Sequence, residues 1–360
     1  MFDKIKDWID KRTGLRDIVD SKLRTFKVPD DSGFMSTLGA VALAAFIVQV
    51  ITGIFLMMYY VPHPDHAFGS IRTINNEVPF GWLFRSIHVV GSNIIIVVAF
   101  IHLLRVLARI SYKRPREMTW MSGSLMFFII LFFCISGYLL SWNQLSYWST
   151  TIITNMPTFF PLLGDMFANF LRGDEFVSGA TITRFFSFHV AFLPFIFVLL
   201  VGLHLLLVWR TGLAGSKSGG DASVSGSLRE VHDNGIPLFP DYFTKELFMS
   251  FVYISVIFFI ISFFPLMFHP PAAGVEANPL AMPDEIRPPW YFIAPYVLIR
   301  IIPNKFIGIS MLLLISAVFL LWPFIDMKEE RDLGKRPYLR ASIIAGVVIW
   351  LALTLGWRLL

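Results

Sequence analysis

Apolar residues in this chain gather into seven long runs, at roughly 34–60, 80–108, 118–140, 186–209, 246–268, 306–325 and 339–357. Runs of that length match the ~20 residues an α-helix needs to cross the hydrocarbon core of a bilayer. No water is available there to bond the backbone, so a spanning segment must satisfy its own N–H and C=O groups as a helix. The expected fold is an all-α membrane protein with seven transmembrane helices. Charged residues make up 15% of the chain, against about 25% in a soluble domain, which excludes an ordinary soluble enzyme.

Loop charges orient these spans. Arg105, Arg109, Lys113, Arg114 and Arg116 follow the second run, and Lys328, Arg331, Lys335, Arg336 and Arg340 follow the sixth. With seven spans both loops share the N-terminal side, and the positive-inside rule makes that side cytoplasmic. The expected location is a bacterial inner membrane, with the N-terminus in the cytoplasm. The net charge of +5 therefore reads as topology, and no nucleic-acid partner is expected. Residues 1–33 read as an amphipathic segment on the membrane surface, with Phe2, Ile5, Trp8 and Ile9 at helical spacing among charges. A Gly/Ser-rich connector over 213–245 separates a four-helix part, 34–212, from a three-helix part, 246–360.

Four histidines fall inside spans: His88 and His102 are 14 residues apart, and His189 and His204 are 15 apart. Ionisable groups in a membrane are costly and mark function by default. A lone one is commonly a hydrogen-bonded packing residue, and a proton relay is a second use. Here each step is close to four helical turns, so each pair shares a face with its members ~21–22 Å apart. Antiparallel helices then set His88 opposite His189 at one level and His102 opposite His204 at another. That pattern points to two b-type haems, each iron held by two histidines. With both axial positions filled, the chemistry is electron transfer rather than oxygen binding.

Gly39 and Gly53, and Gly123 and Gly137, repeat the 14-residue step on the first and third spans. A haem lying flat against a helix needs positions without a side chain, although small residues also serve close helix packing. Arg85, Arg105 and Arg109 are placed to pair with haem propionates or to snorkel to the interface. Cys134 is the single cysteine, so no Cys-ligated cluster is held within the chain. Its place among Phe and Ile reads as core packing.

The sequence resembles cytochrome b of the quinol–cytochrome c oxidoreductases, specifically the cytochrome b6f type. The resemblance rests on QVITG (49–53), GWLFRSIH (81–88), KRPREMTW (113–120), GYLLSWNQLSYW (137–148), TRFFSFH (183–189), NPLAMPDEIRPPWYF (278–292) and IRIIPNKFIG (299–308). The 15-residue step between His189 and His204 is that of cytochrome b6f. The chain resembles cytochrome b6 and subunit IV fused, with the connector at the join. The resemblance implies a homodimer in membrane lipid that oxidises quinol at the outer side. One electron goes to a Rieske iron–sulfur partner and on to a c-type cytochrome or plastocyanin-like acceptor. The other passes through the two haems to an inner quinone, coupled to proton translocation.

Three departures bear on that expectation. The family's Pro-Glu-Trp-Tyr tetrad at the quinol site is here Pro288-Pro289-Trp290-Tyr291. Glu285 is the candidate to replace the missing carboxylate, and the exchange points to a menaquinol user. Tyr147, Phe292 and the tetrad would wall the outer quinone site, and Arg210, with Asp30 or Asp31, would lie at the inner one. Thr37 stands where cytochrome b6f attaches a further haem through a thiol, so no covalent extra haem is expected. Ser141 replaces a proline, with no functional account. A passive two-haem relay and a transporter with structural histidines compete with this reading; the tetrad and three-helix extension disfavour the relay, and haem spectra discriminate the transporter.

Overall fold

The structure is a computed structural model that describes residue 10 and residues 25–29, 33–213, 235–268, 274–286 and 288–356. Most of the surface segment expected over 1–33, including Asp30 and Asp31, and most of the connector lie outside the described residues. After a short 3₁₀ turn, α1 runs over Leu38–Met57, α2 over Ala67–Asn76, α3 over Gly81–Ala108 and α4 over Glu117–Leu139. Then come α5 (Gln144–Asn155), α6 (Gly164–Arg172) and the 33-residue α7 (Gly179–Thr211). Beyond the connector lie α8 (Phe243–Phe263), α9 (Trp290–Ile301), α10 (Lys305–Leu320), α11 (Trp322–Ile325) and α12 (Pro337–Gly356).

Among the described residues, six helices are long and apolar enough to cross a membrane. The run at 306–325 is the exception: α10 stops at Leu320, and Pro323 sits in the first turn of α11. Proline lacks an N–H and disfavours helical geometry in the residue before it, which breaks the run. The first ring of α10, Phe306, packs on Phe160 beyond α5, and its last, Phe319, packs on Trp120 at the start of α4. α10 thus reaches from one face of the bundle to the other.

α7 starts before its apolar run because its first turn is polar. Ser178 caps it, accepting from the Ala180 N–H while its own N–H donates to Thr181 Oγ1. A π-type turn at Phe188–Phe192 interrupts it. In an unbroken α-helix a 15-residue step overshoots four turns by about 60°. The extra residue in the π turn absorbs the excess, so His189 and His204 return to one face.

One core joins both parts of the chain. Leu38, Val41, Ala45, Val90, Ile95, Phe197, Tyr253 and Ile257 bury against one another, so α8 packs with the first four-helix part. The connector divides the sequence but not the core. A two-residue strand pair, Lys27–Val28 with Ile236–Pro237, ties the start of the chain to the segment after the connector. Outward-facing Phe195, Val198, Leu199, Leu205 and Leu206 are exposed. Lipid, not water, accommodates a surface of this kind.

A buried ion cluster fastens the basic loops together. Asp326 receives Arg336 Nη2 at 2.6 Å, Tyr112 Oη at 2.6 Å and Lys113 Nζ at 2.7 Å. Lys113 also donates to the Asp326 carbonyl, and Trp120 Nε1 donates to Phe319 O at 2.9 Å. The loop after α3 and the loop before α12 therefore share a face, referred to below as the basic face. Burial alone would raise the Asp326 carboxyl pKa, but the bonds from Arg336, Lys113 and Tyr112 outweigh it and hold the group below the usual carboxylate range. A depressed carboxylate contributes stability above its unfolded value, near 3.9, and loses it as pH falls through the folded value. Asp326→Ala leaves two buried cations uncompensated and is expected to cost about 3–5 kcal/mol. Thermal unfolding in detergent checks this, and Asp326→Asn should flatten part of the stability loss below about pH 4.

Candidate functional site

The four intramembrane histidines come together as two pairs, each ring resting on a glycine of a neighbouring helix. A Cβ added at Gly53 would lie 3.3 Å from His88 Cε1, and one at Gly39 would lie 3.4 Å from His102 Cε1. On the other side, Gly123 faces His204 at 3.2 Å and Gly137 faces His189 at 2.6 Å. The glycines therefore serve first to admit the imidazoles; the sequence reading had given that space to the haem. Each of the four histidines thus meets one of the four glycines.

The residue before three of these glycines carries a hydroxyl aimed at the same ring. Thr52 Oγ1 lies 2.9 Å from His88 Nδ1, Ser122 Oγ 2.9 Å from His204 Nδ1, and Ser136 Oγ 3.0 Å from His189 Nδ1. Each hydroxyl donates its own proton to a carbonyl of its helix: Thr52 to Val48, Ser122 to Thr119 and Ser136 to Phe133. The hydroxyl oxygen can then only accept from the ring, so Nδ1 carries the proton. The lone pair on Nε2 is left for a metal. This fixing of the tautomer through a neighbouring group is the usual support of a ligating histidine. Sequence reading missed these hydroxyls, although their recurrence directly before glycines 14 residues apart was a visible signal.

The residues present fit haem iron. The ring centroids of His88 and His189 are 6.2 Å apart, which leaves room for one ion with nitrogen bonds of about 2 Å on either side. Arg85 and Arg105 lie within electrostatic reach of His88 and His102, and His102 and His204 within reach of each other. Arg109 closes the C-terminal end of α3. Among the described residues, no group of three or more His, Cys, Asp or Glu side chains could hold a metal ion. The paired imidazoles, His88 with His189 and His102 with His204, are the candidate iron ligands.

On the face opposite the basic loops, the turn after α4 meets the segment leading to α9. Gln144 N–H donates to Val275 O at 2.9 Å, its Oε1 accepts from Asn278 N–H at 2.7 Å, and its Nε2 donates to Ala281 O. Pro289 precedes the first turn of α9, and Trp290 Nε1 donates to Asn93 Oδ1 at 2.9 Å. Asn93 lies on α3, five residues beyond His88, and its Nδ2 donates to Val89 O at 2.8 Å. Tyr291 meets Trp290 and Phe292 edge-on at 5.4 and 4.8 Å and lies beside Cys134 and Tyr138. The tetrad is thus joined to the helix that bears His88, a link the sequence reading lacked.

Other predicted site residues fall less centrally. Tyr147 is buried between Trp142 and Trp148, with its hydroxyl on Val177 O at 3.2 Å. Its polar end is committed to the fold. Glu285 and Arg210 are exposed, and Pro288 is half-buried beside Pro289. Thr37 is fully buried and donates to Phe34 O at 2.7 Å.

Two family models match the chain: Cytochrome b/b6/petB over residues 25–212 and Cytochrome b(C-terminal)/b6/petD over residues 276–358. The chain is 36% identical to cytochrome b of Rickettsia typhi, across 94% of this chain and 82% of that one. The chain belongs to the cytochrome b family. Cytochrome b of Rhodospirillum rubrum is 32% identical, across 93% of this chain and 80% of that one. A solved structure described as a hyperthermophilic respiratory Complex III contains a chain with a TM-score of 0.90 and 33% identity, covering 97% of this chain and 90% of that one. Membership in the cytochrome b family implies b-type haem and a role in membrane electron transport.

The glycine distances yield a graded test. Gly137→Ala would set a Cβ at 2.6 Å from a ring held by Ser136, closer than real contacts allow, whereas Gly39→Ala meets His102 at 3.4 Å, an ordinary contact. Reduced-minus-oxidised spectra are expected to show haem loss in Gly137→Ala and retention in Gly39→Ala.

Proposed function

We propose that this chain is the di-haem cytochrome b subunit of a proton-translocating quinol–cytochrome c, or plastocyanin-like, oxidoreductase. The observation that carries the reading is the pair of imidazole levels, each ring seated on a glycine, three of them with a fixed tautomer. His88 with His189, and His102 with His204, would hold two b-type haems, which supply one-electron transfer across the bilayer. The protein's part is to hold, orient and insulate them.

The outer side is assigned to the face of Gln144, Trp290 and Tyr291, and the basic face to the cytoplasm. Seven crossings accord with the reach of α10 from Phe160 to Trp120 and with the shared face of the loops around Lys113 and Arg336. Quinol, by this reading menaquinol, binds at the outer side against the tetrad Pro288–Tyr291 and Phe292, with Tyr147 stiffening the wall. The aromatic rings provide apolar and edge contacts, and the Asn93–Trp290 bond fixes their entry angle. Glu285, exposed at the mouth of α9, takes a proton from quinol and passes it to the outer aqueous phase. One electron of quinol leaves to a Rieske iron–sulfur protein and then a c-type cytochrome, because the single cysteine, Cys134, cannot hold such a cluster in this chain. The other would pass to the haems held by His88 with His189 and His102 with His204, and on to an inner quinone. At the inner side Arg210 faces quinone or lipid headgroups. Moving charge against the membrane potential stores ~2.3 kcal/mol per charge per 100 mV.

The complex is a homodimer in a bacterial inner membrane. The chain is of the cytochrome b6f type with its subunit IV part fused, a reading supported by the 15-residue histidine step and the Gly/Ser-rich connector. With Thr37 in place of a thiol, no covalent third haem is attached.

In the purified complex, two b-type components are expected in a redox titration, and His102→Leu should remove one and leave the other. Simultaneous loss of both would break the assigned pairing. Glu285→Gln should slow quinol oxidation by about 10²-fold or more, the range for a lost general base, with both haems still bound. Unchanged turnover in that variant removes Glu285 from the proton step.

A further inference from the structure

The four histidines are not supported alike. Nδ1 of His88, His189 and His204 each meets a hydroxyl, whereas Nδ1 of His102 is buried without a hydrogen-bond partner among the described residues. One side chain makes the difference. Leu38 stands before Gly39 in the place that Thr52, Ser122 and Ser136 take before Gly53, Gly123 and Gly137. The neighbouring Thr37 cannot substitute, because its hydroxyl is committed to Phe34 O at 2.7 Å.

We propose that Leu38, by denying His102 an acceptor, makes the inner histidine pair easier to reduce than a hydroxyl at that position would. The inference rests on the two-haem reading above. An imidazole that donates from one nitrogen becomes more basic at the other. A more basic ligand favours ferric over ferrous iron, so outer-sphere hydrogen bonds of this kind lower a haem's potential. At the outer level both rings donate, His88 to Thr52 and His189 to Ser136. At the inner level only His204 does, to Ser122. Cations lie near both levels, Arg85 by His88 and Arg105 by His102. The outer-to-inner direction of electron flow is then set partly by an apolar residue that touches neither substrate nor iron. Leu38 is a positioning residue that acts through what it withholds.

The test is a redox titration of the intact, haem-loaded complex, followed in the b-haem absorbance band. The inner component is identified as the one missing from His102→Leu. Leu38→Ser and Leu38→Thr each supply the absent acceptor, and Leu38→Ala reduces bulk without supplying one. Relative to Leu38→Ala, the hydroxyl variants are expected to raise the oxidised-to-reduced ratio of the inner haem about tenfold at fixed ambient potential, a 59 mV fall for one electron. The outer haem should not move. Ser122→Ala, at the other ligand of the same haem, is expected to shift the inner midpoint upward. The proposal is overturned by an inner midpoint equal in Leu38→Ser, Leu38→Thr and Leu38→Ala, or by one that moves the same way in Leu38→Ser and Ser122→Ala. If the unaltered complex lacks two b-type haems, the parent reading fails; if it has both and the midpoint stays, this inference alone fails.

Discussion

The contact between an imidazole edge and a bare glycine backbone governs the rest of the structure. A histidine ring is wide, and two helices that carry and face it can stay close only where the facing position has no side chain. Gly39, Gly53, Gly123 and Gly137 provide that space. Thr52, Ser122 and Ser136 then fix the ring from the adjoining position on the same helix. Ring direction and helix separation are set together by these glycines and hydroxyls on α1 and α4. Little freedom remains for the histidine-bearing helices, α3 and α7, except at the π turn that corrects the position of His189.

Around this centre the two parts of the chain are held at both faces by different chemistry. At the basic face, Asp326 gathers Tyr112, Lys113 and Arg336. At the opposite face the attachment is neutral, with Gln144 bonded to the 275–281 backbone and Trp290 bonded to Asn93. Between them lies a shared apolar core in which Tyr253 and Ile257 of α8 meet α1 and α3. The charged fastening suits a loop region in contact with water and lipid headgroups.

Much of this was legible in the sequence, because a bilayer punishes polar backbone so strongly that long apolar runs leave one solution. The histidine and glycine spacings needed only helical periodicity to become two levels. What escaped the reading shares a physical cause: polar contacts between distant segments carry no period. Asp326 looked like a loop charge, and nothing local links it to Tyr112 more than two hundred residues away. Asn93 and Trp290 are separated almost as far. The polar first turn of α7 and the break before Pro323 shifted boundaries because hydropathy is blind to caps and weakly sensitive to proline. The glycines were found for an incomplete reason, since their nearest neighbours are the rings.

The pairing of glycines with histidines has a consequence for how the bundle is built. α1 offers an early and a late glycine to a late and an early histidine of α3, and α4 does the same for α7. The four-helix part thus uses one arrangement of side-chain roles twice, in α1 with α3 and in α4 with α7. No fixed sequence period accompanies it, because the connecting segments differ in length and the π turn adds a residue to one pair. Against that background Leu38, where its three counterparts carry hydroxyls, is the one place among the four at which the repeated arrangement of side chains is broken.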